Sequence, residues 1–450
     1  MAAENWAGKK CVVLGCGRAG RSIILYLREQ GAEVSVSEQR KEEDIEPETL
    51  QWLQAHGVPA QWGGHGEDHF REAEAIFPSP GVPLDIPVLK AVKSQGVPVL
   101  GELALAAGKF PVPVIGVTGS NGKTTVTSLL AEIFAAEGKA VFVGGNIGTP
   151  LLDFFLTDKI YDIAVLELSS FQLELTGAFR PDIALVLNIS PDHLDRHHTM
   201  AAYVEAKLNI FANQGQGDVA VVSGDDPHLC RIKGNQGVRR CFFGRTSSCD
   251  AVVKGEGVSV RVEGKKAEEY HLAKTRMASS VNCLNAAAAV LAARMAGCPS
   301  RTIETALRAF VPPRHRMTEV AVIDGVWYIN DSKATNVGAM TAALQGHDQV
   351  VLIAGGRDKG SDFTSAQSIV QHKVKHLIAL GEAASTLDEV FGALVPVIIV
   401  QTMQEAVNEA CRISEPGDVV LLAPGCASFD MFGSFEERGE CFSACVGELM

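Results

Sequence analysis

The sequence lacks several features that would each indicate a particular class of protein. Its eleven cysteines are scattered from Cys11 to Cys445 without a C-x-x-C pair, so neither a disulfide framework nor a thiolate zinc site is indicated. The longest stretch of low polarity, Cys283 to Ala293, is too short to cross a bilayer. The initial segment MAAENWAGKK contains no apolar signal region. We therefore expect a cytoplasmic protein with reduced, mostly structural cysteines.

Positive charge is also scarce. The chain carries 40 Lys and Arg against 53 Asp and Glu, a formal net charge of −13. This balance disfavours nucleic acid and anionic membranes as partners, because both carry the same sign as the protein. An anionic ligand would have to be bound by local basic groups or by backbone N–H dipoles. The 450 residues exceed what one hydrophobic core organises, so two or three domains are expected.

Apolar runs typical of buried strands alternate with amphipathic stretches of helix length, including residues 21–29 and 124–136. The runs are CVVLG, EVSVS, VIGVTG, AVLEL, IALVLNI, VVLIAGG, HLIAL and VVLLAPG. This alternation predicts an α/β protein with largely parallel sheets. Short strand-like pieces between Val219 and Val262 predict an antiparallel excursion. Prolines near residues 101–113 and in VPPRHR predict domain boundaries, which gives domains at 1–102, 103–312 and 313–450.

The segment GVTGSNGKTT follows a strand and begins a helix, which is typical of a phosphate-binding loop. Lys123 would contact the β- and γ-phosphates, and Thr124 would place its hydroxyl on Mg²⁺. The spacing is not strict, because Val117 occupies the position of the first glycine. The alternative is a glycine-rich turn with an incidental lysine. The candidate nucleotide-binding residues here are Gly119, Ser120, Asn121, Gly122, Lys123, Thr124 and Thr125.

A second glycine motif, GCGRAG, follows the first strand, and Glu38 ends the second strand near the spacing of a ribose-binding acid. Alone, this motif indicates a dinucleotide such as NAD. A nucleoside diphosphate can use the same helix N-terminus, and a redox enzyme would leave Lys123 without a role. We therefore favour a UDP-type ligand. Arg40 is either a further ligand contact or a solvated surface arginine.

Polar residues follow two further strands. Glu167 ends the run AVLEL, and the run IALVLNI leads into SPDHLDRHH. Such a concentration of carboxylates and imidazoles indicates a metal, and the phosphate loop upstream favours Mg²⁺ over zinc. His193 is the best histidine candidate, whereas His197 and His198 are expected to be exposed loop residues. Lys207 lies on a predicted helix, and from its own surroundings it would be interpreted as a surface lysine.

Taken together, these motifs resemble the Mur ligase family. The resemblance is carried by TGSNGKTT, GGNIGTP, LELSSFQLE, NISPDHLDRH, NCLNAAAA, PRHRMTEV, NDSKATN and LLAPGCASFDMF with FEERG, in family order over nearly the whole chain. SPGVP, ELSSFQLE, NDSKATN and CASFDMF are most similar to the D-glutamate-adding members. No D-N-P-R stretch, which marks the diaminopimelate- or lysine-adding members, is present.

The resemblance implies three domains: Rossmann-like for a UDP-sugar, P-loop ATPase-like for ATP, and Rossmann-like for D-glutamate. The implied reaction is ATP-dependent addition of D-glutamate to UDP-N-acetylmuramoyl-L-alanine through an acyl phosphate, with two Mg²⁺ ions. This is a cytoplasmic step of peptidoglycan precursor synthesis. A monomer without nucleic acid or membrane partners is expected. A folylpolyglutamate synthetase-like ligase, an NAD-dependent oxidoreductase and a non-catalytic nucleotide-binding module are the alternatives.

The resemblance also implies roles for individual residues. The metal-site residues correspond to Thr124, Glu167, His193 and a carbamylated Lys207. The catalytic residues correspond to Lys123, Glu167, His193 and Lys207. Further ATP contacts are Asn282, Asn285, Arg316 and Asp331. The UDP-sugar contacts are Gly17, Arg18, Ala19, Glu38, Arg40, Ser79, Asn146 and Ser169, and those of the amino acid are Lys333, Thr335, Lys359, Ser428 and Phe435. Arg18, Ala19, Gln39 and Val281 depart from the family pattern.

Overall fold

The computed structural model describes residues 5–232, 235–262, 266–358 and 360–450. Its strands form three sheets that follow one another along the chain, and most of their strand pairs are parallel. The predicted α/β class with mainly parallel sheets is therefore confirmed. Apolar side chains from both faces of these sheets make up the hydrophobic cores.

The N-terminal sheet is parallel and has the strand order β3-β2-β1-β4. Its strands are β1 (Lys10–Leu14), β2 (Glu33–Ser37), β3 (Ala60–Gln61) and β4 (Ala75–Pro78). The helices of this segment are α1 (Arg18–Glu29), α2 (Pro47–Ala55), α3 (Pro87–Ser94) and α4 (Glu102–Ala106). Short 3₁₀ turns occupy Glu42–Asp44 and Glu67–Phe70.

The start of α1 differs from the prediction. The helix begins at Arg18, so Arg18 and Ala19 lie in its first turn and not in a loop before residue 21. The backbone N–H of Arg21 already donates to the carbonyl of Gly17, which makes Gly17 the N-cap. The third glycine of the motif has a steric function, because a Cβ at Gly20 would lie 2.1 Å from the carbonyl oxygen of Gly15.

The middle sheet has the order β13-β12-β11-β10-β9-β8-β5-β7-β6. Its strands are β5 (Val114–Thr118), β6 (Val141–Gly145), β7 (Ile163–Glu167), β8 (Ile183–Val186), β9 (Val219–Ser223), β10 (Arg239–Gly244), β11 (Ala251–Val253), β12 (Gly257–Val260) and β13 (Glu268–His271). The helices are α5 (Lys123–Ala136), α6 (Ser170–Leu173), α7 (Leu194–His197), α8 (Met200–Leu208), α9 (Ser280–Met295) and α10 (Ser300–Ala309), with 3₁₀ turns at Leu151–Phe155 and Asn209–Phe211.

The predicted antiparallel excursion is shorter than expected. Strands β9, β10 and β11 continue the parallel sheet, and only β12 and β13 are antiparallel. The loop at 245–250 returns the chain to the last residues of β10, where Phe243 pairs with Ala251 in the same direction. Short strands near a sheet edge have similar residue patterns in either orientation, so the sequence pattern did not reveal this direction.

The C-terminal sheet has the order β14-β15-β19-β16-β17-β18, and only the hairpin of β14 and β15 is antiparallel. Its strands are β14 (Thr318–Ile323), β15 (Val326–Asn330), β16 (Val350–Gly355), β17 (Val374–Leu380), β18 (Val397–Ile399) and β19 (Val419–Leu422). The helices are α11 (Val337–Gln345), α12 (Gln367–Lys373), α13 (Ala384–Phe391), α14 (Met403–Ile413) and α15 (Phe435–Gly447), with a 3₁₀ turn at Phe363–Ala366.

Helix α9 packs against α5 at the centre of the middle segment. Its alanines, residues 286–289 and 292–293, are completely buried, and such small side chains let a helix approach its neighbours closely. The close packing brings the N-terminal turn of α9, with Asn282 and Asn285, to the phosphate loop. Across the described part of the chain, no helix combines the length and the apolar character needed to span a membrane.

We predict that Gly20→Ala destabilises the N-terminal segment. The added methyl group would meet the Gly15 carbonyl and, at 2.9 Å, the Ser79 hydroxyl oxygen, so α1 would have to move away from the loop. Overpacking of this kind costs about 2 kcal/mol. Circular dichroism during thermal unfolding measures the effect, which should appear as a lower midpoint temperature of the first transition.

Gly17→Ala in the same motif is the matched control, because its Cβ would meet no atom within 4 Å. It should lose only the modest preference for glycine over alanine at an N-cap. Equal transitions for the two variants would contradict the steric interpretation.

Candidate active site

Three neighbouring strands of the middle sheet end at the same edge. Strand β5 pairs with β7 on one side and with β8 on the other, all in parallel. Their carboxyl ends lead into the phosphate loop, Glu167 and Asn188 respectively. In parallel α/β sheets this edge is where ligands bind. The predicted nucleotide and metal residues are therefore brought together by topology.

The phosphate loop requires glycine at two positions. Gly119 has a φ of 152°, and a Cβ there would lie 3.0 Å from the Cβ of Leu187. Gly122 has a φ of 83°, and its Cβ would lie 2.3 Å from the Oδ1 of Asn285. Both positions combine a left-handed backbone with a crowded surface, so a side chain would displace the loop.

Asn188 holds the loop through a reciprocal pair of hydrogen bonds. The N–H of Asn121 donates to Asn188 Oδ1 at 2.8 Å, and Asn188 Nδ2 donates to the carbonyl of Asn121 at 3.0 Å. The Ser120 hydroxyl makes a parallel contact by donating to the carbonyl of Ser190 at 3.0 Å. These bonds fix the loop before any ligand arrives. Sequence reasoning noted Asn188 only as a strand end and missed this function.

Two lysines converge on one carbonyl oxygen. Lys123 Nζ donates to the carbonyl of Gly119 at 2.9 Å and to that of Ser120 at 3.0 Å, and Lys207 Nζ donates to the same Gly119 oxygen at 2.9 Å. The expectation of a surface lysine at position 207 is wrong, because Lys207 is only 2% exposed. Helix α8 directs this side chain inward, with its Nζ 4.6 Å from the ring centroid of Tyr203.

Burial strongly affects the basic groups of this centre. Burial, and secondarily the charge of Lys123, lower the pKa of Lys207 well below its ordinary value, although nearby Asp192 and Glu167 oppose the shift. Burial also lowers the pKa of Lys123. The pKa of Lys333 falls to about 8 because of burial and the neighbouring cations. Buried basic groups that converge beside a phosphate loop are suited to receiving an anionic ligand.

Glu167 provides an acceptor that the protein does not satisfy. Its side chain is 2% exposed, and Oε1 accepts a hydrogen bond from Asn146 Nδ2 at 2.8 Å. The buried Oε2 has no hydrogen-bond partner among the residues described. A buried carboxylate oxygen without a partner is costly, and a hard cation such as Mg²⁺ would satisfy it. The residues present therefore fit a magnesium ion.

The donor set also indicates the type of ion. Within the described ranges, no group of three or more His, Cys, Asp or Glu side chains is arranged to hold a metal. Zinc is normally held by at least three protein ligands, whereas Mg²⁺ uses one or two carboxylates and completes its shell with water and phosphate oxygens. A single buried carboxylate beside a phosphate loop fits the second pattern.

His193 adopts a left-handed backbone conformation, with a φ of 54°. Its N–H donates to Asp192 Oδ1 at 2.9 Å, and its ring lies 4.8 Å from that of Phe171. Non-glycine residues rarely adopt this conformation, and the local hydrogen bond to Asp192 stabilises it. Asp192 therefore stabilises the backbone from which the imidazole projects.

The prediction for His197 is wrong, whereas His198 is exposed as predicted. His197 is buried, with Nε2 3.0 Å from the Ser170 hydroxyl and its ring stacked on Phe171 at 5.6 Å. Burial lowers the pKa of this histidine. The single turn of α7 directs residue 197 inward, which the run of polar letters did not reveal.

The C-terminal segment reaches the phosphate loop directly. Arg316 Nη2 donates to the Thr124 hydroxyl at 2.6 Å, so the hydroxyl predicted for Mg²⁺ here accepts from an arginine. Burial raises the pKa of Asp331 to about 6, although the N–H of Met317 and the charge of Arg316 oppose the shift. Of the nucleotide-contact candidates from beyond residue 312, Arg316 thus contacts the first turn of α5, and the charge of Asp331 lies close to Arg316.

Some of the residues predicted to bind the amino acid contact one another. Lys333 Nζ lies 4.0 Å from the ring centroid of Phe435, and Ser428 is buried. Thr335 is joined to Lys333 through a backbone hydrogen bond at 2.7 Å. Lys359 lies outside the described residues.

The sequence alone did not single out Arg438, although FEERG is one of the motifs that carry the family resemblance. It is 2% exposed and donates to the carbonyls of Cys426 at 3.1 Å and Ser332 at 2.8 Å. Burial lowers its pKa to about 10. The side chain joins the segment before Lys333 to the segment before Ser428 and so fixes their relative positions.

The candidates of the second glycine motif lie at the carboxyl edge of the N-terminal sheet. Glu38 is buried and accepts from the N–H of Cys16 at 3.3 Å, and the Ser79 hydroxyl donates to the carbonyl of Gly15 at 3.2 Å. Burial would raise the pKa of Glu38, but hydrogen bonds from Arg40 and Cys16 outweigh it and lower the pKa.

Two further residues predicted to contact the UDP-sugar, Arg18 and Ser169, already make hydrogen bonds within the protein. Arg18 donates to the carbonyl of Gly148, so it links the first turn of α1 to the middle segment. The Ser169 hydroxyl donates to Gln172 Oε1 at 2.8 Å within the capping box of α6. Ser169 therefore already has a structural function, in addition to any contact with a ligand.

Three family models match the chain in order. They are the Mur ligase MurD-like N-terminal domain over residues 9–101, the Mur ligase middle domain over 117–293, and the Mur ligase glutamate ligase domain over 315–426. A UDP-N-acetylmuramoylalanine–D-glutamate ligase from Desulfotalea psychrophila is 44% identical over 97% of this chain and 95% of its own length. Another from Pelotomaculum thermopropionicum is 41% identical over 99% of both chains.

Solved structures share the fold at much lower identity. A pseudomurein peptide ligase type C from Methanothermus fervidus superposes with a TM-score of 0.62 at 18% identity, and covers 98% of this chain and 100% of its own. The MurF ligase from Thermotoga maritima, solved in complex with ADP, gives a TM-score of 0.61 at 19% identity over 99% and 97% of the two chains. Full-length identity to the curated relatives leads to one conclusion: the chain belongs to the Mur ligase family.

Proposed function

We propose that the chain is the ligase that joins D-glutamate to UDP-N-acetylmuramoyl-L-alanine at the expense of ATP. This is a cytoplasmic step in the synthesis of peptidoglycan precursors, and the chain acts as a monomer. The observation that carries the proposal is the convergence of Lys123 and Lys207 on the Gly119 carbonyl, with the charge of Glu167 close to both lysines. The full-length similarity to ligases of this name supports the choice of substrates.

Three domains divide the work in this proposal, at 1–102, 103–312 and 313–450. The sheets of the fold and the ranges matched by the family models support these boundaries. The N-terminal domain holds the UDP-sugar at the edge where Glu38 and Ser79 lie. The C-terminal domain holds D-glutamate near Lys333 and Phe435, because its two carboxylates need cationic partners.

ATP binds at the phosphate loop. Backbone N–H groups at the start of α5 face the phosphates, and Lys123 exchanges its bonds to carbonyl oxygens for bonds to phosphate oxygens. Asn282 and Asn285 lie at the N-terminal turn of α9 beside Gly122, where they can contact the adenosine. Arg316 and Asp331 complete the nucleotide site from the C-terminal domain.

Two Mg²⁺ ions belong to the working site. When bound, Mg²⁺ neutralises the phosphate oxygens and stabilises charge that develops during phosphoryl transfer. Glu167 Oε2, the Thr124 hydroxyl and His193 would hold the ions. Lys207 contributes after reaction with CO₂, because a carbamate changes this buried amine into an anionic ligand. Its lowered pKa favours the neutral amine, which is the form that reacts with CO₂.

The reaction proceeds in two steps that the site supports. The alanine carboxylate attacks the γ-phosphorus of ATP, which forms an acyl phosphate and releases ADP. The neutral amine of D-glutamate then attacks the acyl carbon, and phosphate leaves as the amide forms. The protein positions the three substrates and stabilises negative charge, so no covalent enzyme intermediate is required.

Phosphate release tests the proposed reaction. With Mg-ATP, rapid release should require UDP-N-acetylmuramoyl-L-alanine and D-glutamate together, because the acyl phosphate forms only with the first and is consumed only with the second. Release is measured with a coupled phosphate assay, and L-glutamate, L-lysine and no amino acid serve as comparisons.

Release with L-glutamate or L-lysine in place of D-glutamate would retain the ligase mechanism and overturn the specificity. If no combination releases phosphate, the proposal fails. A thermal shift with NAD would then favour an oxidoreductase, whereas ATP binding without turnover would favour a nucleotide-binding module.

Lys207→Ala should abolish turnover because it removes the buried amine on which the carbamate forms. Added bicarbonate should not restore activity, whereas a small carboxylic acid such as acetate should restore part of it by occupying the vacated space. Labelled bicarbonate should give a carbamate signal in ¹³C NMR of the wild type that is absent from the variant.

The carbamate signal should disappear as the pH falls through the lowered pKa of Lys207, because the amine then takes a proton. Lys159→Ala is the matched control, since Lys159 is exposed and distant from the loop in sequence, and it should retain the signal. Near-normal turnover of Lys207→Ala would remove the carbamate from the mechanism.

A further inference from the structure

One buried asparagine of the C-terminal domain joins three elements. Asn336 is 5% exposed and is the N-cap of α11, where its Oδ1 accepts from the N–H of Ala339 at 2.8 Å. N-capping satisfies only the acceptor side of the amide. The two donor hydrogens on Nδ2 remain available for contacts outside the helix.

Both donors point into the candidate active site. Asn336 Nδ2 lies 3.0 Å from Asp192 Oδ2 and 3.3 Å from Asn121 Oδ1. Asn121 belongs to the phosphate loop and Asp192 to the loop that carries His193. A single side chain of the C-terminal domain is therefore in contact with both loops of the middle domain.

The contact with Asp192 reaches His193 through the same carboxylate. Asp192 Oδ1 accepts from the N–H of His193, which has the left-handed φ of 54°, while Oδ2 accepts from Asn336. Two bonds on opposite oxygens fix the rotation of the carboxylate. Hydrogen bonds to a charged acceptor are among the stronger ones in proteins.

A second observation shows that the first turn of α11 packs closely against Ser190. A Cβ at Gly338, in the first turn of α11, would lie 2.5 Å from the Oγ and 2.6 Å from the Cβ of Ser190. Gly338 does not have a positive φ, so glycine is needed for space and not for backbone freedom. The helix and the strand-end loop are thus in backbone-to-side-chain contact beside Asn336.

We propose that Asn336 is a positioning residue that sets the register of the C-terminal domain on the phosphate loop and orients Asp192. The proposal rests on the proposed function, since it assigns how the amino-acid domain is aligned with the activated carboxylate. Asn336 acts through Asp192 and Asn121 and not through contact with the reacting atoms. Gly338 provides the clearance that the alignment requires.

Asn336→Ser removes the contacts with Asp192 and Asn121 while retaining an N-cap for α11. Serine is a good N-cap but cannot reach Asp192 and Asn121 with two donors, so kcat should fall about tenfold or more while the melting temperature stays near that of the wild type. The KM for UDP-N-acetylmuramoyl-L-alanine should change by about twofold or less. Thr402→Ala removes the N-cap of α14 in the same domain and should lower stability without this loss of kcat.

A double-mutant cycle tests the contact itself. Asn336→Asp opposes two carboxylates and should reduce kcat more than Asn336→Ser does, whereas Asp192→Asn combined with Asn336→Asp restores a donor and an acceptor in exchanged positions. The double variant should be about tenfold more active than the product of the two single losses implies. Additive losses would overturn the proposal.

Gly338→Ala tests the close packing of α11 against Ser190. The helix preference of alanine, about 1 kcal/mol, offsets part of the overpacking against Ser190, so the variant should stay folded with at most a modest fall in melting temperature and still lose about tenfold in kcat. Gly447→Ala is its control, because a Cβ there meets no atom within 4 Å. Wild-type kcat for Asn336→Ser and Gly338→Ala would refute the proposal. Failure of the wild type itself to release phosphate would instead refute the proposed function.

Discussion

The carbonyl oxygen of Gly119, which accepts from both Lys123 and Lys207, is the contact on which the site depends. Two basic side chains meet at one neutral acceptor in a buried region, and burial depresses the pKa of each. The arrangement is stable only if one amine is neutral or if anions arrive to compensate it. Phosphate oxygens and a carbamate on Lys207 meet that requirement in the proposed reaction, and Glu167 contributes a buried oxygen that no described residue hydrogen-bonds.

The fold provides this centre by placing three strand ends at one edge and adding groups from the next domain. Strand β5 lies between β7 and β8, so the phosphate loop, Glu167 and Asn188 are adjacent although they are distant in sequence. Arg316 and Asn336 then reach the loop from the C-terminal domain. Alignment of the domains and chemistry at the loop therefore depend on the same few hydrogen bonds.

Features carried by local sequence were predictable, whereas those created by packing were not. The glycine loop and Glu167 are recognisable because each follows an apolar strand run, and the structure places both as expected. The burial of Lys207 and His197 depends on the direction in which short helices face, which polar letters do not show. Other features likewise depend on partners far along the chain. They are the hydrogen bonds between Asn188 and Asn121, the carbonyl contacts of Arg438 and the parallel direction of β9 to β11. Family resemblance indicated the residue types at such places but not their contacts.

Transfer of oxygen from the acceptor substrate tests the central claim most directly. If the site activates a carboxylate by phosphorylation, UDP-N-acetylmuramoyl-L-alanine labelled with ¹⁸O in its alanine carboxylate should transfer one labelled oxygen to the phosphate released in the presence of Mg-ATP and D-glutamate. Mass spectrometry of the phosphate measures this transfer. Release of unlabelled phosphate alongside the amide product would contradict an acyl phosphate at this site.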